Sequence, residues 1–297
     1  MPPGTCACSA SFVVESILLS AAMRKAGILY NARIPAAQTL AERLAEWLGQ
    51  RKITAWKCPV ADEARVREEL AGSEAVISLG GDGTMLRVAR LVAPEGIPIL
   101  GINMGNLGFT TELTESEAME KLPAFFDGKG WIDERAMLQA ELPLHSSAPV
   151  HALNDIVVAR GSVVRLIKIK ALLNGQPIAT YRADGIIAAT ATGSTGYSLA
   201  AGGPILFPDA REFLLTPILP HLTLSAALVL SHDAVVELEV QTAHEARMSV
   251  DGQVEVPLRS LDTVVIRRSP YTTRLLRIQP RSFFYRTLLS KLGGREG

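Results

Sequence analysis

Apolar residues in the first part of the chain follow two different spacings. Short continuous apolar runs favour buried strands, and between them apolar positions recur at the three-to-four-residue spacing of amphipathic helices. The predicted order is strand, helix, strand, helix, strand, helix and strand, over residues 26–30, 35–48, 51–56, 61–70, 75–79, 85–92 and 97–101. Alternating strands and helices are typical of a parallel sheet. We therefore expect an α/β N-terminal domain.

After a short predicted helix at residues 117–126, the pattern changes to strands separated by turns. Strands are predicted over residues 136–144, 152–159, 166–173, 176–181, 185–189, 228–230, 235–240, 247–250 and 263–268. Residues 271–292 regain helical periodicity, and a last helix over residues 281–292 is expected to return to the first domain. The predicted fold class is an α/β domain with a parallel sheet (residues 23–127 plus 271–297) and an all-β C-terminal domain (residues 128–270). Residues 1–22 are expected to be a disordered extension.

Composition narrows the class of protein. The chain has 297 residues, 48% of them hydrophobic, which is long enough for two domains. Thirty basic residues balance thirty acidic ones, which argues against a nucleic-acid partner. Three cysteines give no disulfide framework, so a cytoplasmic location is expected. No run reaches the roughly 20 apolar residues of a membrane span, and residues 11–22 lack a preceding Lys or Arg and contain Glu15, unlike a signal peptide.

The strand at residues 75–79 runs into Gly-Gly-Asp-Gly-Thr at residues 80–84. Three glycines allow the backbone to approach a ligand closely, and Thr84 is a candidate N-cap whose helix would direct its first N–H groups at a phosphate. Asp82 repels an anion, so it is useful there if it holds a metal ion or takes a proton from an attacking hydroxyl. This combination favours phosphoryl transfer. A tight turn in which Asp82 is only a cap is an equally good interpretation of these residues alone.

Further polar stretches follow. A second glycine-rich turn at residues 103–109 leaves the carboxyl end of the next strand, where α/β sheets bind ligands, and we expect it to form the other wall of a crevice with Asp82. In the second domain, Asn154-Asp155 can read an adenine edge and a ribose diol, although an ordinary turn is the simpler interpretation. Residues 181–185 (YRADG) and 190–203 (TATGSTGYSLAAGG) place hydroxyls and charges among glycines. The glycine motifs of dehydrogenases and P-loop kinases are absent.

Together, residues 80–84, Asn154-Asp155 and residues 190–197 occur in the order and rough spacing found in NAD kinases. From residue 23 onward the chain resembles bacterial members of that family, including GINMGNLGF at residues 101–109 and AGGPI at residues 201–205. The first motif alone is shared with lipid kinases and phosphofructokinases, which lack the third. A related lipid or sugar kinase is therefore the alternative, and a non-catalytic NAD-binding sensor is another.

The resemblance implies ATP-dependent phosphorylation of the 2′-hydroxyl of the adenosine ribose of NAD, which gives NADP. It also implies a divalent metal cation such as Mg²⁺, with no protein ligand assigned to it, and a homodimer or homotetramer. Asp82 matches the catalytic general base. The substrate-binding residues implied by the resemblance are Asp82, Gly83, Arg87, Asn154, Asp155, Arg165, Arg182, Asp184, Thr192, Thr195, Gly196, Tyr197, Ser198 and Gln253.

Some of these matches carry specific expectations. In family oligomers the residue matching Asp184 reaches the nicotinamide end of NAD in a neighbouring subunit, and the bulk of Arg182 predicts a preference for NAD over NADH. The chain departs from the usual family pattern at three positions, with Asp155 in place of Glu, Ala191 in place of Pro and Gly196 in place of Ala. The choice between ATP and polyphosphate as donor is left open by the sequence.

Overall fold

The structure is a computed structural model, and it describes residues 23–105, 108–145, 148–162 and 165–292. The predicted disordered extension, residues 1–22, lies outside the described residues. The N-terminal half contains, in order, β1 (Lys25–Tyr30), α1 (Pro35–Gln50), β2 (Thr54–Pro59), α2 (Glu63–Leu70), β3 (Ala75–Leu79), α3 (Asp82–Val92), β4 (Ile99–Asn103), β5 (Leu113–Thr114) and α4 (Glu115–Phe126). The strands β2, β1, β3 and β4 pair in that order and in parallel, which confirms the predicted α/β half.

The second half is almost entirely strands. It contains β6 (Trp131–Glu141), β7 (Val150–Ala152), β8 (Asp155–Arg160), β9 (Ile167–Leu173), β10 (Gln176–Ala183), β11 (Gly185–Ala189), α5 (Tyr197–Ala200), β12 (Phe213–Ile218), β13 (Leu228–Leu230), β14 (Val236–Gln241), β15 (Ala246–Val250), β16 (Val254–Leu258), β17 (Thr263–Arg277) and α6 (Phe283–Leu292). Six of these strands form an antiparallel sheet in the order β13-β12-β11-β8-β15-β16. The predicted antiparallel β half is confirmed.

Apolar cores in both halves hold these layers together. In the first half, α1 begins at Pro35, which suits the first helical position, and buries Leu40, Leu44 and Leu48 against the parallel strands. In the second half, a core that includes Tyr181 and Phe213 fills the space between the sheets. Each such fully buried side chain contributes about 1.5–3 kcal/mol.

Strand β17 joins the two halves. Its first residues pair with β14, Leu275 pairs with Ile99 of β4, and β6 runs along its other side from Glu141 to Trp131. Eleven strands of the described chain thereby form one sheet, with the path β10-β9-β14-β17-β4-β3-β1-β2. The strand runs without interruption across the predicted domain boundary at residue 270.

The prediction of helical structure from residue 271 onward is wrong for residues 271–277, which are strand. The short apolar run in this segment is compatible with either a helix or a strand. Thr272 and Thr273 are β-branched, which favours a strand, and residues 272–277 pair with the distant β6. The final helix begins only at Phe283. Its Phe284 ring lies 6.5 Å from the ring of Phe109 and 5.9 Å from that of Phe207, so α6 contacts a loop of each half. Among the helices of the described residues, none is both long and apolar enough to cross a membrane.

Candidate functional site

The turn between β3 and α3 is tighter than the sequence predicts. The helix begins at Asp82 and Gly81 is the N-cap residue, so the prediction of Thr84 as N-cap is wrong. Thr84 instead packs against the turn, because a Cβ on Gly80 would lie 2.3 Å from its Oγ1 atom. The two glycines let the chain reverse early enough for Asp82 to be the first helical residue. Its negative charge is favourable there, at the positive end of the helix dipole.

The carboxylate of Asp82 receives three hydrogen bonds from the second glycine-rich turn. Oδ1 accepts from the backbone N–H of Thr110 at 3.0 Å and from its hydroxyl at 2.5 Å, and Oδ2 accepts from the N–H of Phe109 at 3.1 Å. A Cβ on Gly108 would lie 2.1 Å from Asp82 Oδ1. The two turns therefore meet at this carboxylate. A carboxylate offers about four acceptor positions, so one position on Oδ2 remains after the donors of the described residues are counted.

A cleft of about 500 Å³ lies beside this turn. It is lined by the loops that leave β1, β2 and β3, with the residues Asn31, Ala32, Arg33, Val60, Ala61, Gly81, Gly83, Thr84 and Arg87. The strand order changes direction between β1 and β3, which is where open α/β sheets bind ligands. Two arginines and the N-terminus of α3 give the cleft the charge that suits phosphate groups. Of its two arginines, Arg87 is predicted from the sequence and Arg33 is not.

The structure brings Asn154-Asp155 into contact with residues 190–198. The N–H of Thr190 donates to the carbonyl of Asn154 at 2.8 Å, and its hydroxyl donates to the carbonyl of Leu153 at 2.6 Å. A Cβ on Gly193 would lie 2.1 Å from the Asn154 carbonyl oxygen, so only glycine allows this approach. The two predicted nucleotide-binding motifs therefore form one surface.

The hydroxyl residues of this surface differ in accessibility. Gly196 and Tyr197 are exposed, with 49% of Tyr197 accessible. Ser198 is fully buried, and its hydroxyl is 2.9 Å from that of Thr216. The Thr195 hydroxyl donates to the Thr192 carbonyl at 3.3 Å. A ligand at this surface would therefore meet Gly196 and Tyr197 directly, whereas Ser198 supports them from behind.

Asp155 has an unusual environment. Its side chain is buried beside the carboxylate of Asp251, and burial followed by that negative charge raises the pKa of Asp155 to about 7. Asp251 itself accepts the N–H groups of Leu153, Asn154 and Asp155 at 2.9, 2.7 and 3.1 Å. Sequence reasoning missed Asp251, although Asp251-Gly252 is the residue pair typical of a two-residue hairpin turn.

Gln253 links the second half to the turn that carries Asp82. Its side-chain amide donates to the carbonyl of Gly83 at 2.6 Å and accepts from Arg90 at 3.3 Å. Arg90, which is also absent from the sequence prediction, forms an ion pair with Glu63 at 2.8 Å. The side chain of Gln253 therefore reaches the residue next to Asp82.

A cluster of buried charges lies on the other side of the site. Arg277 pairs with Glu112 and Asp133, each at 3.2 Å, and Arg135 pairs with Asp133 at 2.5 Å. Burial would raise the pKa of Asp133, but the two arginines outweigh it and lower that pKa. For Glu112, burial outweighs Arg277 and raises the pKa. Two cations and two carboxylates thus share one buried site, which the sequence analysis did not identify.

This cluster contacts both the Asp82 turn and residues 190–198. Arg277 donates to the carbonyl of Thr111 at 3.1 Å, next to the residues that bind Asp82. Arg135 donates to the hydroxyl of Thr192 at 3.3 Å. The cluster therefore fixes the position of the Asp82 turn relative to residues 190–198.

The remaining predicted residues, Arg165, Arg182 and Asp184, lie elsewhere in the chain. Arg182 is exposed on β10, Arg165 is exposed just before β9, and Asp184 accepts from Arg160 at 2.8 Å. The path from β10 to β3 passes through β9, β14, β17 and β4. At roughly 4.8 Å per strand, that path is about 24 Å along the sheet. Arg182 therefore lies five strands from β3 in this sheet, and Asp184 directly follows its strand.

Two domain families match the chain. The ATP-NAD kinase N-terminal domain matches residues 64–130, and the ATP-NAD kinase C-terminal domain matches residues 153–278. The NAD kinase of Dehalococcoides mccartyi (strain CBDB1) is 43% identical over 274 residues, which cover 91% of this chain and 96% of that protein. The NAD kinase of Chloroflexus aurantiacus (strain ATCC 29366) is 38% identical over 273 residues, or 91% and 99% of the two proteins.

Two solved structures are also similar. An NAD kinase from Archaeoglobus fulgidus in complex with ATP has a TM-score of 0.72 at 25% identity, covering 90% of this chain and 98% of that chain. Yeast NADH kinase complexed with NADH has a TM-score of 0.76 at 23% identity, covering 93% and 89%, which is a likeness of fold. The chain therefore belongs to the ATP-NAD kinase family.

Proposed function

We propose that this NAD kinase transfers the γ-phosphoryl group of ATP to the 2′-hydroxyl of the adenosine ribose of NAD, with Asp82 as the general base. The observation that carries the proposal is the carboxylate of Asp82, which lies between the cleft residues Gly81 and Gly83. Counting the donors of the described residues, it has one acceptor position left on Oδ2. In this reaction the 2′-oxygen bonds to phosphorus, the bond between phosphorus and the ADP oxygen breaks, and the hydroxyl proton passes to Asp82.

Orientation of Asp82 is the first requirement. The N–H groups of Phe109 and Thr110 and the hydroxyl of Thr110 fix the carboxylate in one direction. A base placed within hydrogen-bond reach of the attacking hydroxyl contributes about a hundred- to ten-thousandfold in rate. The same carboxylate would only hinder a protein whose sole task was to bind phosphate, because it repels the anion.

The donor phosphates fit the cleft lined by Arg33 and Arg87. Guanidinium groups bind phosphate oxygens with charge-assisted hydrogen bonds, and the N–H groups of α3 add donors at the same end. Among the described residues, no group of three His, Cys, Asp or Glu side chains is placed to hold a metal ion. The residues thus do not fit a resident metal, and a magnesium ion belongs to the ATP substrate complex.

The dinucleotide fits the surface formed by Asn154, Asp155 and residues 190–198. An ionised Asp155 can accept hydrogen bonds from a ribose diol, and the Asn154 amide can both donate to and accept from an adenine edge. Tyr197 offers an exposed aromatic face beside them. Gln253 connects this surface to Gly83, so the two substrates lie on joined parts of the protein.

We also propose a homo-oligomer, either a dimer or a tetramer, in which Asp184 and Arg182 of one chain serve the site of a neighbour. The five-strand path from β10, which carries Arg182, to β3, which precedes Asp82, is about 24 Å along the sheet and supports this arrangement. Leu219 and Leu222 on the adjoining loop are 74% and 89% exposed and have φ of 44° and 52°. Exposed leucines in strained backbone are costly in a monomer and useful at an interface. The proposed compartment is the cytoplasm, consistent with the free buried thiol of Cys58.

The direct test is formation of NADP from NAD, magnesium and ATP, detected with an NADP-specific dehydrogenase. Asp82→Asn keeps the shape of the side chain and removes the proton acceptor, so kcat should fall by about a hundred- to ten-thousandfold while NAD still binds. A parallel reaction with polyphosphate identifies the donor. Absence of NADP from the unchanged enzyme would refute the activity, and wild-type kcat in Asp82→Asn would refute the role of Asp82.

A further inference from the structure

Asp251 lies in a turn that contacts both the Asn154-Asp155 pair and the turn that carries Asp82. It occupies the tight turn between β15 and β16, where Asp251 and Gly252 have φ of 52° and 63°. Only 8% of Asp251 is exposed, although it is a carboxylate. A buried carboxylate is retained at a cost unless its hydrogen bonds compensate, so the partners of Asp251 indicate what it does.

Those partners are consecutive backbone groups of the dinucleotide-binding surface. Oδ2 accepts from the N–H of Leu153, and Oδ1 accepts from the N–H groups of both Asn154 and Asp155. The N–H of Asp251 in turn donates to the Asp155 carbonyl at 2.9 Å. Four hydrogen bonds thus fix the backbone from which the side chains of Asn154 and Asp155 project.

The same turn reaches the phosphoryl-transfer side of the site. Gln253, two residues after Asp251, donates to the carbonyl of Gly83, the residue next to Asp82. Arg90 holds Gln253 from the other side and is itself held by Glu63. One short turn therefore touches both the nucleoside-binding pair and the catalytic turn.

We propose that Asp251 is a positioning residue for NAD: it orients Asn154 and Asp155 for the dinucleotide, and its turn fixes their distance from the Asp82 turn through Gln253. This inference rests on the proposed function, because it assigns Asn154 and Asp155 to the acceptor substrate. It concerns a residue that the family motifs quoted above do not include.

The charge of Asp251 makes the role measurable. Asp251 is the charged group that acts on Asp155, and it adds to burial in raising the pKa of Asp155 to about 7. Burial raises the pKa of Asp251 as well, and this rise is opposed by its three backbone N–H bonds and by the charge of Arg90, which is paired with Glu63. NAD binding should therefore tighten as the pH rises through about 7, because an ionised Asp155 accepts both hydroxyls of a ribose diol.

The main test is Asp251→Asn. The amide oxygen can keep the two bonds from Asn154 and Asp155, but its NH₂ group then faces the N–H of Leu153. We expect the Kd for NAD, measured by calorimetry without ATP, to rise about tenfold, as for the loss of one hydrogen bond and the repulsion that replaces it. The pH midpoint of NAD binding should also move to lower pH, because the neighbouring negative charge is gone.

Asp262→Asn is the matched control. Asp262 is also a buried aspartate in a turn of the second half, where it accepts the N–H of Arg259 at 2.7 Å. Its substitution should leave both the Kd for NAD and the pH midpoint unchanged. If Asp251 were only a structural residue, both variants would lower the fraction of folded enzyme, and neither would change Kd or the midpoint.

A second variant tests the contact with the Asp82 turn separately from the contact with Asn154 and Asp155. Gln253→Met keeps the length of the side chain and removes its bonds to Gly83 and Arg90, so kcat should fall while the pH midpoint of NAD binding stays in place. If Asp251→Asn does not fold, Gln253→Met still tests whether the turn that carries Asp251 positions the Asp82 turn. Unchanged kcat in Gln253→Met, or an unchanged Kd and midpoint in folded Asp251→Asn, would overturn the inference. The proposed function would still stand in that case if the unchanged enzyme forms NADP.

Discussion

Asp155 should make the protein less stable as the pH rises, and Asp155→Asn should remove that loss. The native pKa of about 7 lies above the value of 3.8 expected for the unfolded chain. Between these two values the native state holds a proton that the unfolded state has lost, so stability decreases with increasing pH through this window. The whole effect is about 4 kcal/mol at 1.36 kcal/mol per unit of pKa, and roughly 2.5 kcal/mol of it develops between pH 5 and pH 8.

The assay is urea denaturation of both proteins at pH 5 and pH 8. Asn has nearly the shape of a protonated Asp and does not titrate, so the free energy of unfolding of Asp155→Asn minus that of the unchanged protein should grow by roughly 2.5 kcal/mol from pH 5 to pH 8. Asp262→Asn, made in a protein that also carries His145→Asn, is the control. Burial favours the neutral form of Asp262, but the Arg259 N–H and His145 outweigh it and lower the pKa of Asp262. The second substitution removes the imidazole at 2.9 Å from Asp262, which would otherwise titrate between these pH values. The free energy of unfolding of this double variant minus that of His145→Asn should be the same at pH 5 and pH 8. If the free energy of unfolding of Asp155→Asn minus that of the unchanged protein were the same at pH 5 and pH 8, the reasoning would be refuted.

Other substitutions test separate parts of the site. Gly108→Ala puts a Cβ 2.1 Å from the Asp82 carboxylate, so kcat should fall about a hundredfold with little change in the Kd for NAD, as measured by steady-state kinetics and calorimetry. Arg33→Met should raise KM for ATP about tenfold or more and leave KM for NAD unchanged. Arg277→Met leaves two buried carboxylates short of a cation and should lower the free energy of unfolding by about 3–5 kcal/mol in urea melts. The unchanged enzyme should prefer NAD over NADH in kcat/KM, and Arg182→Gly should narrow that preference; equal values in the unchanged enzyme would contradict it.

The alternation of strands and helices predicted the parallel half of the fold, because each helix or strand there shows its own spacing of apolar residues within a short stretch of sequence. Residues 80–84, Asn154-Asp155 and residues 190–197 were identified because glycines and polar residues interrupt apolar strands. These signals are local as well, whereas the contact between the last two motifs is visible only in the structure.

What the sequence did not predict depends on partners far along the chain. Asp133, Glu134 and Arg135 are consecutive charged residues, a run typical of a solvent-exposed segment. Asp133 and Arg135 are nevertheless buried, because Asp133 forms ion pairs with both Arg135 and the distant Arg277. The extended structure of residues 271–277 has the same origin, since β6 supplies the partner. Asp251 was missed for a different reason. Its turn signal is present in the sequence, but its hydrogen-bond partners lie 96 to 98 residues earlier in the chain.

The position of β17 has a consequence for how the chain folds as it is made. Strand β6 pairs along nearly its whole length with β17, from Trp131 opposite Arg277 to Glu141 opposite Val265. Until the last residues leave the ribosome, that edge of β6 has no strand beside it, and an unpaired edge can recruit another chain. Contacts between such distant residues also make folding slow. The enzyme should therefore depend on chaperones late in synthesis, and release short of residue 263 should yield an aggregation-prone product rather than a stable first half.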